Sequence, residues 1–483
     1  MSLLSLPWLE WSVAVALIGS LWVHRQREPG RAARWGVAFT GLAFSCTTLA
    51  WLGFYLGAAP GALSPWSVQP ILFRAPVLLL DELSAPLVPT VALLHFLTAV
   101  ATARTRMRYF SFSWSLASEA IRLAMFSCSA SWLLVGLLIA CTVPPYLELV
   151  NRGRPTRVYV AHMLLFAGLL VVGWAIVDAG GGRPLPTAIG SIPLMLAILV
   201  RCGTVPAHCW VTDWFEHASL GNALLFVAPL AGVYAAVRFV LPIAPEWVLH
   251  TVGLASLSTA VYAAAMATVE RDTRRFFAYL FLSHASLVLV GLELHSTMAL
   301  TASLCLWFSV ILSIGGFGLT LRALESRFGR LDLIHYHGLY DHTPTLAMFF
   351  LLTGLACVGF PGTLGFISTE LLVDSAVEAS PYVGFIVVAA AALNGIAVVR
   401  AYFLLFTGAR HASTVSLGTG ARERLAVLTL SALILGGGFF PQPGVTTRAL
   451  AAEAILQDRE IRSHPRLIQA RDQVLRLLSA AVR

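Results

Sequence analysis

Long apolar stretches alternate with short polar loops along most of this 483-residue chain. Three typical stretches, at 35–56, 248–268 and 382–406, are each about 20 residues long, and at 1.5 Å per helical residue that length matches the roughly 30 Å hydrocarbon core of a bilayer. Only α-helices and closed barrels satisfy their backbone groups in lipid, and uninterrupted runs of this length are typical of helices. The pattern therefore predicts an all-α polytopic membrane protein.

Hydropathy and loop positions together predict fourteen membrane spans, numbered here along the chain. The first apolar run is long and rich in tryptophan, and we interpret it as a retained helix rather than a signal peptide. The predicted spans are 3–23, 35–57, 83–103, 113–130, 132–150, 158–178, 188–209, 220–241, 247–268, 277–294, 298–321, 344–379, 383–406 and 423–440.

Arginines in the loops predict the orientation. Nineteen of them fall in every second loop, after spans 1, 3, 5, 9, 11 and 13, whereas the loops on the other side hold only Arg74 and Arg183. Because basic loop residues stay in the cytoplasm, this side is predicted to be cytoplasmic. We expect a multi-pass protein of the cell (inner) membrane with both termini on the non-cytoplasmic side.

Composition sharpens this picture. Charged residues make up 12% of the chain, against about 25% in ordinary globular proteins, and hydrophobic residues make up 58%. The net charge of +8 lies in short loops between spans, so it does not indicate a nucleic-acid partner. All 32 basic residues are arginine. Arginine holds its proton permanently, whereas a buried lysine can release one.

Two spans carry helix-breaking residues near their middle. Gly203 and Pro206 interrupt span 7, and Pro361 and Gly362 interrupt span 12. Broken helices in corresponding positions of two halves are typical of inverted repeats around an ion path. The alternative is two unrelated kinked helices. The predicted domains are an N-terminal segment (1–110), a first repeat of spans 4–8 (111–245), a second repeat of spans 9–13 (246–410), and the last helix with its tail (411–483).

The tail from Thr446 to Arg483 has the pattern of two short amphipathic helices separated by Pro465. Such helices lie on a membrane interface or on a partner subunit. A flexible tail is the alternative.

Few polar residues fall inside the spans, and these are the candidates for function. Arg201 needs an anion or a wet cavity, and Glu119, Asp213 and Glu216 are the local candidates for its partner. Six residues are candidates for a proton path: Arg201, His208, His284, Glu370, Asp374 and Glu119. The competing interpretation for the histidines is a structural role in which their hydrogen bonds are satisfied. For Glu370 and Asp374 it is an ion pair with a basic residue at the end of a loop.

No cofactor or metal is predicted. Cys202, His208 and Cys209 lack a fourth ligand nearby, and the chain has no cysteine cluster and no glycine-rich nucleotide motif. Any redox chemistry would belong to other chains.

Four motifs together resemble the antiporter-like membrane subunits of respiratory complex I, over roughly residues 75–410. Relatives of that family include subunits of multisubunit cation/proton antiporters, of membrane-bound hydrogenases and of two-component inorganic-carbon accumulating transporters. The motifs are RCGTVPAHCWVTDWFEHAS at 201–219, ATVERDTRRFFAYLFLSH at 267–284, GFPGTLGFIST at 359–369 and DELSAPL at 81–87.

The resemblance implies fourteen helices, two inverted five-helix repeats with broken helices 7 and 12, and proton translocation along titratable groups. Four positions depart from the family pattern. Ile139 falls where the family has a glutamate, Arg201 falls on the lysine of the seventh helix, Leu230 falls near the lysine of the eighth helix, and Val310 falls near its histidine. Apolar side chains and an arginine cannot pass protons, so the expected relay is modified or partly lost.

Three functions follow as hypotheses. The first is a proton-translocating subunit of a complex-I-like assembly. In that case the chain has no catalytic site of its own and is at most a non-redox subunit of an NADH-quinone oxidoreductase-like complex. The second is the membrane subunit of an inorganic-carbon accumulating system driven by proton influx, with a soluble zinc-bearing partner. The third is a structural paralogue that conducts nothing. The expected partners are other membrane subunits or that zinc-bearing protein, and the lipid bilayer.

Overall fold

The computed structural model describes residues 6–56, 67, 69, 76–103, 107, 109–294, 296–409 and 418–463, and within these ranges it contains helices and no β-strand. The helices are α1 (Trp8–His24), α2 (Pro29–Leu56), α3 (Ser84–Val100), α4 (Phe112–Ser127), α5 (Ser131–Ala140), α6 (Val143–Asn151), α7 (Arg157–Gly180), α8 (Pro184–Cys202), α9 (Cys209–His217), α10 (Leu220–Val227), α11 (Ala231–Ala235, continued by a π-turn to Val240), α12 (Glu246–Val269), α13 (Thr273–Glu293), α14 (Thr297–Phe328), α15 (Pro344–Val358), α16 (Leu364–Ala379), α17 (Pro381–Phe406), α18 (Ala421–Phe439) and α19 (Gln442–Ser463).

Each predicted span coincides with one of these helices or with two consecutive ones. Spans 5, 8 and 12 correspond to pairs of helices. Span 7 corresponds to α8 and the connection up to the first residue of α9, and the other spans correspond to single helices. By length and apolar character, nine described helices are able to cross a membrane, or ten when α18 and α19 are taken as one bent span. The all-α membrane fold is confirmed, while the count of fourteen spans stays a prediction.

Three spans form the centre of the bundle. The most apolar windows of α10–α11, α13 and α14 are each 94% buried, whereas those of α2, α7 and α17 are about one-third buried or less. The peripheral helices expose leucines and valines such as Leu164 and Val172 of α7. An apolar exterior around a buried centre is the arrangement that a lipid solvent favours.

The first predicted break separates α8 from α9. Gly203 ends α8 in a left-handed conformation (φ 71°), which glycine adopts without steric cost. Gly203 and Pro206 both lie in the six-residue connection to α9. The backbone N–H of Val205 donates to Thr259 Oγ1 of α12 at 3.0 Å, so a neighbouring helix satisfies a group that the break leaves free.

The second break separates α15 from α16. Gly359 (φ 88°) and Gly362 (φ 85°) turn the chain, and Pro361 lies between them. Thr363 then caps α16 by accepting from the N–H of Phe366 at 3.4 Å. Broken spans 7 and 12 were therefore correctly predicted. They are the fourth members of the two proposed five-span repeats, whose domain boundaries stay a prediction.

Spans 5 and 8 contain interruptions that the sequence did not predict. In span 8, Pro229 precedes Leu230, which has a positive φ of 53° and separates α10 from α11. A left-handed conformation is uncommon for leucine. The free carbonyl of Pro229 accepts from the indole Nε1 of Trp307 in α14 at 3.1 Å, and this bond holds the interruption against the bundle centre.

The arginine-rich loops meet at one end of the bundle. Arg274 pairs with Glu325 at 2.6 Å, Arg327 pairs with Glu423, and Arg330 lies 3.4 Å from Asp272. The loop arginines Arg74, Arg104, Arg106, Arg108 and Arg410 lie outside the described residues. Which side of the membrane this end faces stays a prediction.

The described part of the tail is one helix, which includes the first of the two helices predicted on either side of Pro465. α19 runs from Gln442 to Ser463 at 80° to α18, and Pro465 and the residues after it lie outside the described residues. Arg448 donates to the carbonyls of Glu82 and Leu83 at 2.8 and 3.3 Å. Arg459 donates to the carbonyl of Leu241. These bonds hold α19 across the end of the bundle opposite the arginine-rich loops.

Candidate functional site

A buried polar cluster lies between α3 and α4. Glu119 and Arg122 are one helical turn apart on α4, and His95 faces them from α3. Arg122 Nη1 donates to His95 Nε2 at 2.9 Å. Because a guanidinium can only donate, the histidine Nε2 accepts and the ring is neutral with its proton on Nδ1. That Nδ1 and both oxygens of Glu119 have no hydrogen-bond partner among the described residues.

Arg201 lies in the last turn of α8, directly before the first break, and is 4% exposed. Its guanidinium carbon lies 4.3 Å from the centre of the Phe226 ring and 5.5 Å from that of Trp210. Aromatic faces attract cations, and this interaction is stronger where water is excluded. The rings of α9 and α10 thus surround a charge that lipid alone would not tolerate.

The prediction of a carboxylate partner for Arg201 is wrong within the described part of the chain. Asp213 pairs with His217 at 3.3 Å, and Glu216 lies 3.9 Å from Arg330. Glu119 acts on Arg122, which in turn lies within electrostatic range of Arg201. We expected one acidic side chain beside Arg201. The described neighbours are instead two aromatic rings, and the nearby charge is that of a second arginine, Arg122.

His208 lies in the break but does not join this cluster. Its Nε2 is 3.4 Å from the hydroxyl of Tyr262, and its ring packs edge-on against the Tyr262 ring and also contacts Tyr279. A continuous helix would place His208 two turns from Arg201 on the same face. The break instead turns it toward α12 and α13, so the two residues contact different halves of the protein.

A second buried polar group lies in the other half. His284 of α13 is 3% exposed, and its Nε2 has no partner among the described residues. The adjacent Ser283 donates to the carbonyl of Ala260 at 2.9 Å and accepts from Asn394 Nδ2 of α17 at 2.8 Å. Asn394 is fully buried, and its Oδ1 has no hydrogen-bond partner within the described ranges. The sequence analysis missed Asn394, although an amide within an apolar helix was a usable signal.

Glu370 and Asp374 lie elsewhere. They share one face of α16, as their spacing predicts, but that face is exposed. The buried face of α16 carries Gly365, Ser368, Leu372, Ser375 and Ala376 instead. The structure therefore separates these two carboxylates from His284 and from the Arg201 cluster.

Comparison with known proteins agrees with this architecture. A family model described as NADH:quinone oxidoreductase/Mrp antiporter, TM, matches residues 160–394. NADH-quinone oxidoreductase subunit 13 of Thermus thermophilus is 29% identical over 400 residues, which are 77% of this chain and 83% of that protein. Subunit M of the Pseudomonas aeruginosa enzyme is 23% identical and aligns over 94% of this chain and 97% of its own length. These matches support the family of antiporter-like membrane subunits found in complex I and Mrp-type assemblies, and the chain is similar to such subunits over most of its length.

Two solved structures show the same fold. A chain of respiratory complex I from Thermus thermophilus superposes with a TM-score of 0.80, at 23% identity, over 93% of this chain and 99% of that one. A chain of the Mrp complex from Dietzia superposes with a TM-score of 0.82, at 17% identity, over 95% and 100%.

Three positions at or near which the resemblance implies polar relay residues carry apolar side chains. Leu230 and Val310 are 4% and 2% exposed, and Ile139 packs against the core at the end of α5. None of these side chains can hold or release a proton. Arg122 and His95, by contrast, put polar groups into the interior. Their pairing across 27 residues was not predicted.

Proposed function

We propose that this chain is a proton-translocating subunit of a complex-I-like membrane assembly, with a relay that differs from that of its relatives. The observation that carries the proposal is a set of buried polar side chains in both halves of the bundle. Glu119, Arg122 and Arg201 lie in the first half, and His284 with Asn394 lies in the second. Buried polar groups in a membrane interior are costly, so they are retained where ions or protons must pass.

In this proposal the titratable groups and the permanent cations have separate roles. Glu119 and His284 are side chains whose charge can change, and each has a buried polar atom without a hydrogen-bond partner among the described residues. Arg201 and Arg122 keep their protons, so they set the local field and orient water. His208, between Tyr262 and Tyr279, is the candidate that links the two halves.

Proton flux in liposomes tests this proposal. Vesicles with the purified wild-type chain should dissipate an imposed proton gradient faster than empty vesicles. Glu119→Gln and His284→Gln should each slow that flux several-fold, since both keep a polar group but lose the titratable one. Glu453→Gln, at an exposed position of α19, is the matched control and should not change the flux.

A non-conducting structural role is the second candidate. It is favoured by the apolar side chains at Ile139, Leu230 and Val310 and by the fixed charge of Arg201. In that case wild-type vesicles and empty vesicles would show equal flux, and the leading proposal would be wrong. The inorganic-carbon alternative requires a soluble zinc-bearing partner, and copurification of such a protein with the tagged chain would favour it.

We also propose that the exposed acidic face of α16 contacts another membrane subunit. Glu370 and Asp374 lie nine and five residues, respectively, before the end of α16 at Ala379. Charged side chains at such depth are disfavoured against lipid by roughly 2.5–3.5 kcal/mol each near the bilayer centre. A polar surface of a neighbouring subunit would remove this cost. The relatives' names identify them as subunits of larger enzymes, which supports such a neighbour.

A further inference from the structure

The first half of the bundle contains more buried positive than negative charge. Arg122 and Arg201 are 2% and 4% exposed and lie within electrostatic range of each other. Glu119 is the one carboxylate that acts on Arg122, and none acts on Arg201 among the described residues. Tyr159, Cys141 and Cys202 are the other neighbours, and phenols and thiols are neutral at pH 7. The cluster thus carries two permanent positive charges and at most one negative charge.

This imbalance calls for an anion. Burying an unpaired charge is among the largest unfavourable terms in a protein interior. Ring faces offset part of the cost for Arg201, but they carry no net charge. Glu119 makes no hydrogen bond to either arginine, and His95 accepts from Arg122 as a neutral ring. No described side chain supplies the missing negative charge.

A narrow cleft leads to Arg122. Its walls come from α4, α6, α9 and α10, and Ser115, Ser118 and Asn222 provide polar groups along it. Ser115 is 4% exposed, and its hydroxyl has no partner among the described residues. Phe226 forms part of the wall, and Arg201 lies against that ring. The cleft therefore combines an unused hydroxyl with one guanidinium at its surface and a second one behind an aromatic ring.

The cleft lies toward the arginine-rich end of the bundle. Trp114 and Ser115 belong to the first turn of α4, which begins there, whereas Arg122 is about two turns deeper. Glu148 is the acidic residue of the lining, but its carboxylate already accepts from the N–H of Ser219 at 2.8 Å and lies 3.7 Å from Arg152. It is engaged at the cleft wall and leaves the position beside Arg122 open.

We propose that this cleft binds a small monovalent inorganic anion, such as chloride or bicarbonate. Arg122 and the Ser115 hydroxyl donate to the ion, and Arg201 contributes charge from behind Phe226. The narrow interior suits an ion of a few atoms rather than an organic acid or a nucleotide. The chain would have this anion site whether or not it conducts protons, so the site does not depend on the proposed function.

Binding of radioactive chloride to the purified full-length chain in detergent tests this proposal. The assay uses constant ionic strength, with gluconate as the balancing anion. Wild type should bind chloride saturably, and nitrate and bicarbonate should compete whereas gluconate should not. The competitor that displaces chloride at the lower concentration identifies which inorganic ion the site prefers. Gluconate competing as well as nitrate would contradict a small-anion site.

Three substitutions in the cluster define the expected changes in affinity. Arg122→Gln and Arg201→Gln should each weaken chloride binding by about tenfold or more, as expected for loss of a charged partner in a buried site. Glu119→Gln should strengthen it several-fold, because the carboxylate competes with the ion for the same arginines. Arg400→Gln is the control, since Arg400 donates to the carbonyls of Glu270 and Leu333 far along the chain from the cluster.

Several outcomes would overturn the proposal. These are the absence of saturable binding in wild type, equal binding in wild type and both arginine variants, or weaker binding in Glu119→Gln. If the arginine variants do not fold, Ser115→Ala decides, because it keeps every charge and should still weaken binding several-fold. If the chain binds chloride but proton flux stays at the level of empty vesicles, the anion site is supported and the proposed proton-translocating function is contradicted.

Discussion

Arg201 is the residue at which this chain departs most clearly from the motif that it resembles. It occupies the end of α8, where the resemblance implies a lysine, and two aromatic rings surround its guanidinium. An arginine holds its proton, whereas a buried lysine releases one far more readily. The surroundings therefore stabilise a positive charge at this position whether the residue is arginine or lysine, but only a lysine could lose its proton.

Arg201→Lys should raise proton flux in liposomes several-fold above wild type, because it restores a group that can give up a proton beside the break. Arg201→Gln is the matched variant without charge, and it should not raise the flux. Equal flux in wild type and in the lysine variant would show that protons do not pass this position.

At the scale of single elements, the break in span 12 depends on close backbone packing at a glycine. Gly365 lies in the first turn of α16, and a Cβ atom there would meet the carbonyl oxygen of Ala356 at 2.0 Å. That oxygen belongs to α15, whose last residues must therefore shift if the glycine is replaced. The close approach of α16 to the end of α15 is what gives the break its shape.

Gly365→Ala should destabilise the protein by about 1–3 kcal/mol, the typical cost of forcing extra atoms into a packed interior. Thermal unfolding in detergent measures this as a lower Tm. Gly136→Ala is the control, because a Cβ at Gly136 meets nothing within 4 Å and alanine is the better helix former. A Tm of Gly365→Ala equal to or above that of Gly136→Ala would contradict the packing described here.

The helices were predictable because hydropathy is local. Span 6 was predicted at 158–178 and is observed as α7 from Arg157 to Gly180, and the helix-breaking residues of spans 7 and 12 lie where the sequence puts them. The interruption at Leu230 was missed, although Pro229 is a helix-breaking signal; leucine itself gives no signal for the left-handed conformation. A tertiary contact from Trp307 stabilises it.

The site was predicted less completely, because it depends on which face of each helix is buried. The spacing of Glu370 and Asp374 predicts a common face, but carboxylates inside a membrane span usually face the bundle interior, whereas these two are exposed. His95 and Arg122 pair across two helices, and no local pattern reports such a contact. His208 turned away from Arg201 because the connection between α8 and α9 changes the direction of the chain.

At the scale of the whole molecule, orientation in the membrane is the first prediction. The arginine-rich loops lie at one end, and α19 is bound to the opposite end through Arg448 and Arg459. Alkaline phosphatase fused after Arg483 should therefore be active in a bacterial host, and a fluorescent protein fused there should stay dark. Fusions in the loop after Arg154 should behave in the opposite way. A fluorescent C-terminal fusion would reverse the predicted orientation.

The exposed carboxylates of α16 give the second prediction. The double variant Glu370→Leu with Asp374→Leu should leave the Tm of the isolated chain in detergent unchanged or slightly raised, because neither side chain has a partner among the described residues. In cells, the same variant should copurify with fewer of the wild-type chain's membrane partners, because the polar contact with the neighbouring subunit is lost. Glu453→Leu, at an exposed position of α19, serves as the control for an added surface leucine.

This double variant also separates two roles for the acidic pair. If Glu370 and Asp374 form an interface, partner recovery falls while proton flux through the isolated chain in liposomes is unchanged. If they belong to the proton path, flux through the isolated chain falls and partner recovery is unchanged. Their position on the exposed face of α16, away from His284 and Arg201, favours the first result. If the double variant recovers as many partners as the wild type, the proposed interface is wrong, and the two carboxylates are again candidates for the proton path.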